Sequence, residues 1–319
     1  MGQIFNTMSE MPQVSIIMAT YNRAEYILES LQSIQAQTFK DWECLIIDDG
    51  GTDDTKEILA PILEQDSRFK YFTRTENYQK GLPGSRNYGL DLAQGDYIIF
   101  FDDDDIAHPQ NLELCVLELS KNDISFCRYI RDVFFDDFHY KFDYSTTYTS
   151  FNIGINDVEK ILRYELFFNS CAVMWKRECF VKNRFVEHLM YAEEWELYSR
   201  IISAGFKGIS IEKCLFYGRK HRYSLTGEFY NYNAVQTSSY ADCILLAIKN
   251  LKEKQLLSNS LIRYFISLSI GYKQYKLYEN ILAAVQLNRF EKLKWNLFYK
   301  TLPTRLLLYR IKKVIKKNI

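Results

Sequence analysis

Five consecutive apolar residues, Tyr97 to Phe101, stand between Gly95-Asp96 and four consecutive aspartates in the stretch DYIIFFDDDDIAHP. A short β-branched and aromatic run bounded in this way reads as a buried central strand. Asp102, Asp103, Asp104 and Asp105 should therefore emerge together at its carboxyl end. In open α/β sheets that edge is where ligands bind. Four adjacent carboxylates repel one another, and burying even one uncompensated charge is costly. A cation must offset them, and hard oxygen donors suit Mg²⁺ or Mn²⁺, ions that commonly bridge to substrate phosphates. Capping of the helix expected from about Pro109 would account for one or two of the four, not for all.

The preceding hundred residues build the frame. Val14 to Ala19, Trp42 to Ile47 and Phe69 to Thr73 are short apolar runs that predict strands. Between them, Ile27, Leu28, Leu31 and Ile34, and then Ile58, Leu59 and Ile62, recur at helical spacing. Thr52 or Asp53 is placed to cap the second helix and Pro61 to bend it. A turn-rich loop, Gly81 to Gly84, precedes a helix expected from Ser85 to Ala93. This alternation predicts an α/β fold, a mostly parallel sheet flanked by helices. No GxGxxG follows the first strand; Thr20 to Arg23 stands there instead, which excludes the dinucleotide-binding variant.

Downstream, helices are expected at Asn111 to Leu119, Asp157 to Leu166 and Tyr191 to Ala204. Strands are expected at Ile124 to Arg128, Cys171 to Trp175, Lys207 to Ile211 and Cys214 to Tyr217, with Arg131 to Ser150 a hairpin or loop. From residue 227 the pattern becomes helical (232–252, 256–275 and 277–299), so the chain divides into 1–226 and a C-terminal helical appendage, 227–319. Pro303 opens a last segment with Arg305, Arg310, Lys312, Lys313, Lys316 and Lys317 and no acid; Leu307, Ile311, Val314 and Ile315 lie along one face. That tail suits a helix lying on an anionic bilayer; a solvated terminal helix is the plainer alternative.

The 319 residues carry zero formal net charge, which argues against a nucleic-acid partner for the whole chain. Seven scattered cysteines with no CxxC read as reduced, buried small hydrophobes of a cytosolic protein. The opening residues lack a basic region followed by an apolar segment, so no secretory signal is expected. Asn6 stands where a myristoylation motif wants Ser or Thr. No apolar run approaches the roughly 18 residues of a membrane span.

Distinctive groups follow four predicted strands or open the helix beyond them: Thr20, Tyr21 and Asn22; Asp48 and Asp49; Arg86 and Asn87; and the aspartate cluster. VSIIMATYNRAEYILESLQSIQAQTFKDWECLIIDDGGTDDT and GSRNYGLDLAQGDYIIFFDDDDIAHP, in that order, resemble glycosyltransferase family 2. The resemblance covers about the first two thirds of the chain. It implies the GT-A fold and transfer from a nucleotide sugar with inversion. It implies that Thr20, Tyr21 and Asn22 form the loop around the nucleotide and that Asp49 hydrogen-bonds the base. Arg86 matches an arginine near the nucleotide. Asp102 opens the DxD motif and faces ribose or metal, with Asp103 also against the nucleotide. Asp104 closes the motif and binds the Mn²⁺ or Mg²⁺ that bridges both phosphates, and Asp105 supports the loop. Gly51 departs from the family's usual serine.

YAEEWELYSRI resembles the family's acidic pair before a helix, so Glu194 matches the general base and Glu193 its neighbour. The family usually carries Asp at the second position. From position alone, both glutamates read equally well as favourable charges at a helix N-terminus. YGRKHRYSLTGE resembles the family's YRxHxxSxT stretch with a one-residue offset, aligning His221 with a histidine that completes the metal shell or touches phosphate. A lone histidine is usually structural. Arg219, Lys220 and Arg222 flank it, either neutralising diphosphate or solvated.

The expected activity is transfer of a sugar from a nucleotide donor, a UDP-sugar, to a glycan or lipid-linked glycan hydroxyl in surface polysaccharide synthesis. The expected location is the cytoplasm, peripheral at the inner face of the cell membrane. A homodimer through the appendage stays open. The rivals are a sugar nucleotidyltransferase, which lacks its glycine-rich triphosphate loop here, a phosphatase, which would want a nucleophilic Asp where Thr20 stands, and an inactive nucleotide-sugar scaffold.

Overall fold

The computed structural model describes residues 11–121, 123–220, 234–272, 274–285 and 287–317. His221 and Arg222 lie outside the described residues, as do the side chains of Arg310 and of residues 312–317. The chain divides into two compact units, one ending at Ser239 and one beginning at Tyr240.

The first unit opens with β1 (Val14–Thr20), α1 (Ile27–Gln35), β2 (Trp42–Asp48), α2 (Thr55–Gln65), β3 (Phe69–Thr73), α3 (Leu82–Leu92) and β4 (Tyr97–Asp102). Strands β1, β2 and β4 are buried along almost their whole length, as continuous apolar runs covered on both faces require. One acid inside this core is Glu43. It accepts hydrogen bonds from the Ser15 hydroxyl at 2.7 Å and the Gln94 amide at 2.8 Å and pairs with Lys70 at 2.8 Å. Ile27, Leu31 and Ile34 bury one face of α1, at the predicted spacing.

Next come β5 (Ile106–Ala107), α4 (Asn111–Lys121), β6 (Phe126–Phe135), β7 (Ser150–Ile153), α5 (Val158–Leu162), β8 (Val173–Lys176), α6 (Glu193–Ser203) and β9 (Gly208–Lys220). The described strands form one sheet in the order β3-β2-β1-β4-β8-β6-β9-β5, with β7 also on β9. Strands β1 to β4 pair in parallel, whereas β8 runs antiparallel to β4 and β6. The sheet is thus mixed, flanked by helices, as the sequence led us to expect in class if not in every strand direction.

Strand β1 has β2 on one side and β4 on the other, so the connections leave it in opposite directions. Thr20 lies opposite Asp48 and Ala19 opposite Asp102. Three loops therefore leave the sheet side by side at the crevice such a switch creates.

Several boundaries differ from those read off the sequence. Arg131 to Phe135 continues β6, and only residues 136–149 lack regular structure. The alternation was hidden because Arg131 is a strand residue whose charge is answered by a distant carboxylate. The two strands expected between Lys207 and Tyr217 are one, β9, with register shifts against β6 between Arg128 and Arg131. The helix expected from Tyr191 starts at Glu193, because Ala192 adopts a left-handed φ of 60°.

In the second unit α7 (Ala234–Glu253) crosses the division and is followed by α8 (Asn259–Gly271), α9 (Tyr275–Val285) and α10 (Arg289–Lys317). Pro303 lies inside α10 rather than opening a new segment. The cysteines are unpaired. Among the described residues no helix is long and apolar enough to cross a membrane.

Candidate active site

The aspartate tetrad does not project as one block. The side chains of Asp102, Asp103, Asp104 and Asp105 are 35%, 9%, 13% and 2% exposed in turn, and Asp103 and Asp104 already form a turn beyond β4. Carboxylate oxygens of Asp102 and Asp105 lie within 4.8 Å of one another, whereas Arg23 reaches both Asp103 and Asp104.

Each has a guanidinium partner. Arg86, in α3, is itself buried and donates from Nη2 to Asp102 and to the Ser170 hydroxyl, both at 3.1 Å, and from Nη1 to Glu193 at 3.2 Å. Burial opposes its charge, but Asp102 and Glu193 outweigh that and raise its pKa. Asp105 pairs with Arg131 at 3.0 Å and accepts the Arg219 amide at 2.8 Å. Arg219 also donates to the Asp104 carbonyl at 3.0 Å and pairs with Glu29. A Cβ at Gly218 would lie 1.6 Å from the Arg131 guanidinium, so a side chain there would displace that group from Asp105. Arg23, three residues beyond β1, reaches Asp103 at 3.3 Å and Asp104 at 3.8 Å.

These pairs leave a net excess of buried acid. Burial and the neighbouring Asp104 push Asp103 up to about 7, against the pull of Arg23 and Thr20. Burial raises Asp105 to about 8 despite Arg131. At the start of α6, burial raises Glu193 in spite of Arg86. Burial and the adjoining Glu193 raise Glu194 to about 8. Carboxyl groups held this far above their ordinary values want a further positive charge. The donors are hard carboxylate oxygens, so Mn²⁺ or Mg²⁺ fits this set. The ligand atoms of Asp102, Asp105 and Cys171 also lie within 4.8 Å of one another. That inner group already faces Arg86 and Arg131, and its thiol is buried and pushed well up, which is unfavourable for a cation.

The other candidates line the neighbouring loops. Thr20 is buried and Tyr21 exposed, with the Lys80 ammonium 4.8 Å over its ring. Asn22, at a left-handed φ of 53°, accepts the Thr52 amide at 2.7 Å and so ties the β1 loop to the β2 loop. Asp48 accepts the Tyr71 hydroxyl at 2.6 Å and the Gly51 amide at 2.8 Å. Asp49 pairs with Arg74 and accepts the Gly81 amide at 3.0 Å. Asp53 accepts hydrogen bonds from the Thr55 amide and hydroxyl, but the residue at the N-cap of α2 is Asp54, which makes no side-chain capping bond, so neither Thr52 nor Asp53 is the cap the sequence suggested. Asn87 exchanges hydrogen bonds with the Phe185 backbone and reaches Glu187.

Arg23, Arg131 and Ser170 were not singled out by the sequence. Arg23 was within reach of inspection, since it follows the first strand at the same edge. Arg131 and Ser170 carry no local signal.

The profile of "Glycosyl transferase family 2" matches residues 15–180. The chain belongs to this family. It is 43% identical over 95 residues to the GalNAc(5)-diNAcBac-PP-undecaprenol beta-1,3-glucosyltransferase of Campylobacter jejuni, covering 30% of each chain. It is 42% identical over 114 residues to the UDP-Glc:alpha-D-GlcNAc-diphosphoundecaprenol beta-1,3-glucosyltransferase of Escherichia coli, covering 35% of this chain and 43% of that one. These matches span less than half of the relatives' lengths. Among solved structures, S. aureus TarS with UDP-GlcNAc superposes with a TM-score of 0.65 at 19% identity, over 85% of this chain and 79% of TarS. The mannosyltransferase PcManGT of Pyrobaculum calidifontis, solved with GDP-Man and Mn²⁺, gives 0.52 at 16% identity over 87% of each chain. At these identities the likeness is one of fold, and the fold is GT-A.

Proposed function

We propose that this family 2 chain transfers a sugar from a UDP-sugar to a hydroxyl of a lipid-linked glycan, in a single displacement with inversion, with Glu194 as the general base. The observation that carries this reading is Arg86, buried and hydrogen-bonded at once to Asp102 and to Glu193. It joins the strand edge that would meet the diphosphate to the helix start that carries the base.

Glu194 takes the proton as the acceptor oxygen bonds to the anomeric carbon, and the electron pair of the breaking bond leaves on the β-phosphate of UDP. A base raised to about 8 is matched to that task near neutral pH, and such positioned bases contribute about 10²–10⁴-fold. Asp104 and Asp102 would hold Mn²⁺ or Mg²⁺, which when bound offsets charge on the leaving diphosphate. Arg86 holds Asp102 and Glu193 in place through hydrogen bonds to both. Tyr21, Thr20, Asn22, Asp49 and Asp103 surround the nucleotide, and His221 is a further candidate ligand. The undecaprenol-diphosphate acceptors in the names of two relatives support a lipid-linked acceptor, which sets the enzyme peripherally at the inner face of the membrane. Residues 1–226 form the transferase domain in this reading and 227–319 the appendage.

A thermal-shift screen of nucleotide sugars with and without Mn²⁺ tests it, because stabilisation follows affinity. Metal-dependent stabilisation by UDP-sugars is expected. Stabilisation by guanosine nucleotides instead would overturn the donor.

A further inference from the structure

Among its described side chains, helix α10 has two apolar faces, one covered and one open. Trp295 and Leu302, seven residues apart, are buried, with Phe298 and Tyr299 half-buried beside them. On the other side Phe290, Leu293 and Leu297 are 86%, 68% and 63% exposed, and Leu307, Leu308 and Ile311 are exposed further along. Positions 290, 293, 297, 301, 304, 308 and 311 step by three or four and form one stripe, in which Thr301 and Thr304 add no charge. A helix whose inner face is already packed ordinarily turns polar residues outward, and a continuous exposed apolar run marks an interaction surface.

Charge chooses the occupant. Lys292, Lys294, Lys300 and Arg305 are exposed along the same helix. Arg310, Lys312, Lys313, Lys316 and Lys317 follow in the sequence, and Glu291 is the one acid between 289 and 317. A symmetric contact with a second copy would set these cations against their own equivalents. An anionic lipid surface satisfies both features, since it accepts apolar side chains at the acyl boundary and cations at the headgroups.

We propose that α10 docks on a bilayer rich in anionic phospholipid, with Phe290, Leu293, Leu297, Leu308 and Ile311 inserted and the flanking lysines and arginines at the headgroups. This deepens the peripheral location proposed above and rests on that reading. The test needs neither donor nor acceptor, so its failure leaves the transfer reaction standing.

The experiment is co-sedimentation of the full chain with phosphatidylglycerol–phosphatidylcholine vesicles and with phosphatidylcholine vesicles. Binding to the anionic vesicles alone, reversed by salt, is expected. Leu293→Asp/Leu297→Asp/Leu308→Asp should lower partitioning roughly tenfold or more. Lys292→Glu/Lys300→Glu/Arg305→Glu should lower it by about fivefold or more per site. The charge variant, which leaves every apolar side chain in place, decides the matter should the leucine variant fail to melt cooperatively. Equal binding to both vesicle types, binding to neither, or self-association abolished by the leucine variant would overturn the proposal.

Discussion

Asp105 and Asp104 are neighbours of identical chemistry, yet the protein treats them differently. Asp105 is 2% exposed and enclosed by Arg131 at 3.0 Å and the Arg219 amide at 2.8 Å. Asp104 is 13% exposed, with Arg23 3.8 Å away and its own carbonyl held by Arg219. The same contrast separates Glu193, bonded to Arg86, from the more accessible Glu194. In each pair one carboxylate is enclosed by its partners and its neighbour is less buried. A run of acids at a sheet edge is therefore sorted by which guanidinium reaches each one.

Substitutions can break that division. The largest effect is expected for Glu194→Gln, with kcat down about 10²–10⁴-fold and the melting temperature held or raised. A fall in stability with activity preserved would put Glu194 among the enclosed carboxylates. In the wild type, kcat/KM should rise with pH as Glu194 loses its proton, with an apparent pKa near 8 that Glu194→Gln removes. Arg86→Met should act the opposite way, destabilising by about 3–5 kcal/mol in denaturant titration, because it leaves the buried Glu193 without its cation and Asp102 unpaired. Unchanged stability would show that Arg86 is not the bridge described here.

Asp104→Asn should cost about 10²-fold in kcat, the worth of several kcal/mol of leaving-group stabilisation, with little change in unfolding. Asp105→Asn, a neutral isostere of a carboxyl raised to about 8, should cost far less in kcat and leave stability held or raised. The smallest effect sharpens the comparison through pH. The folded-state pKa values of Asp103 and Asp105 lie above the ordinary 3.8, so the native state binds more protons than the unfolded one. Their contribution to stability is complete below about pH 4 and is lost as pH rises to about 8. The protein without ligand should melt a few degrees lower at about pH 8 than at about pH 5, and Mn²⁺ with UDP should narrow the gap. A flat profile would mean that both carboxylates titrate normally.

Much of this was legible beforehand. The runs VSIIMA, WECLII and YIIFF announce buried strands, and the acids after them announce the ligand edge. Arg131 to Phe135 was not legible as strand, because its polar residues mask the alternation until Asp105 is seen to answer Arg131. The exposed stripe of α10 was only partly legible: the wheel gives a face, and burial of Trp295 and Leu302 tells which face is left open.

The sequence by itself determined the strands, the order of the loops and the chemistry delivered to the crevice, because apolar periodicity and turn residues act over a few neighbours. Only the tertiary structure decided which acids are spoken for. Arg86 meets Glu193 across 107 residues and the Arg219 amide meets Asp105 across 114. A charge has no directional signature along the chain, so its partner is fixed by folding alone.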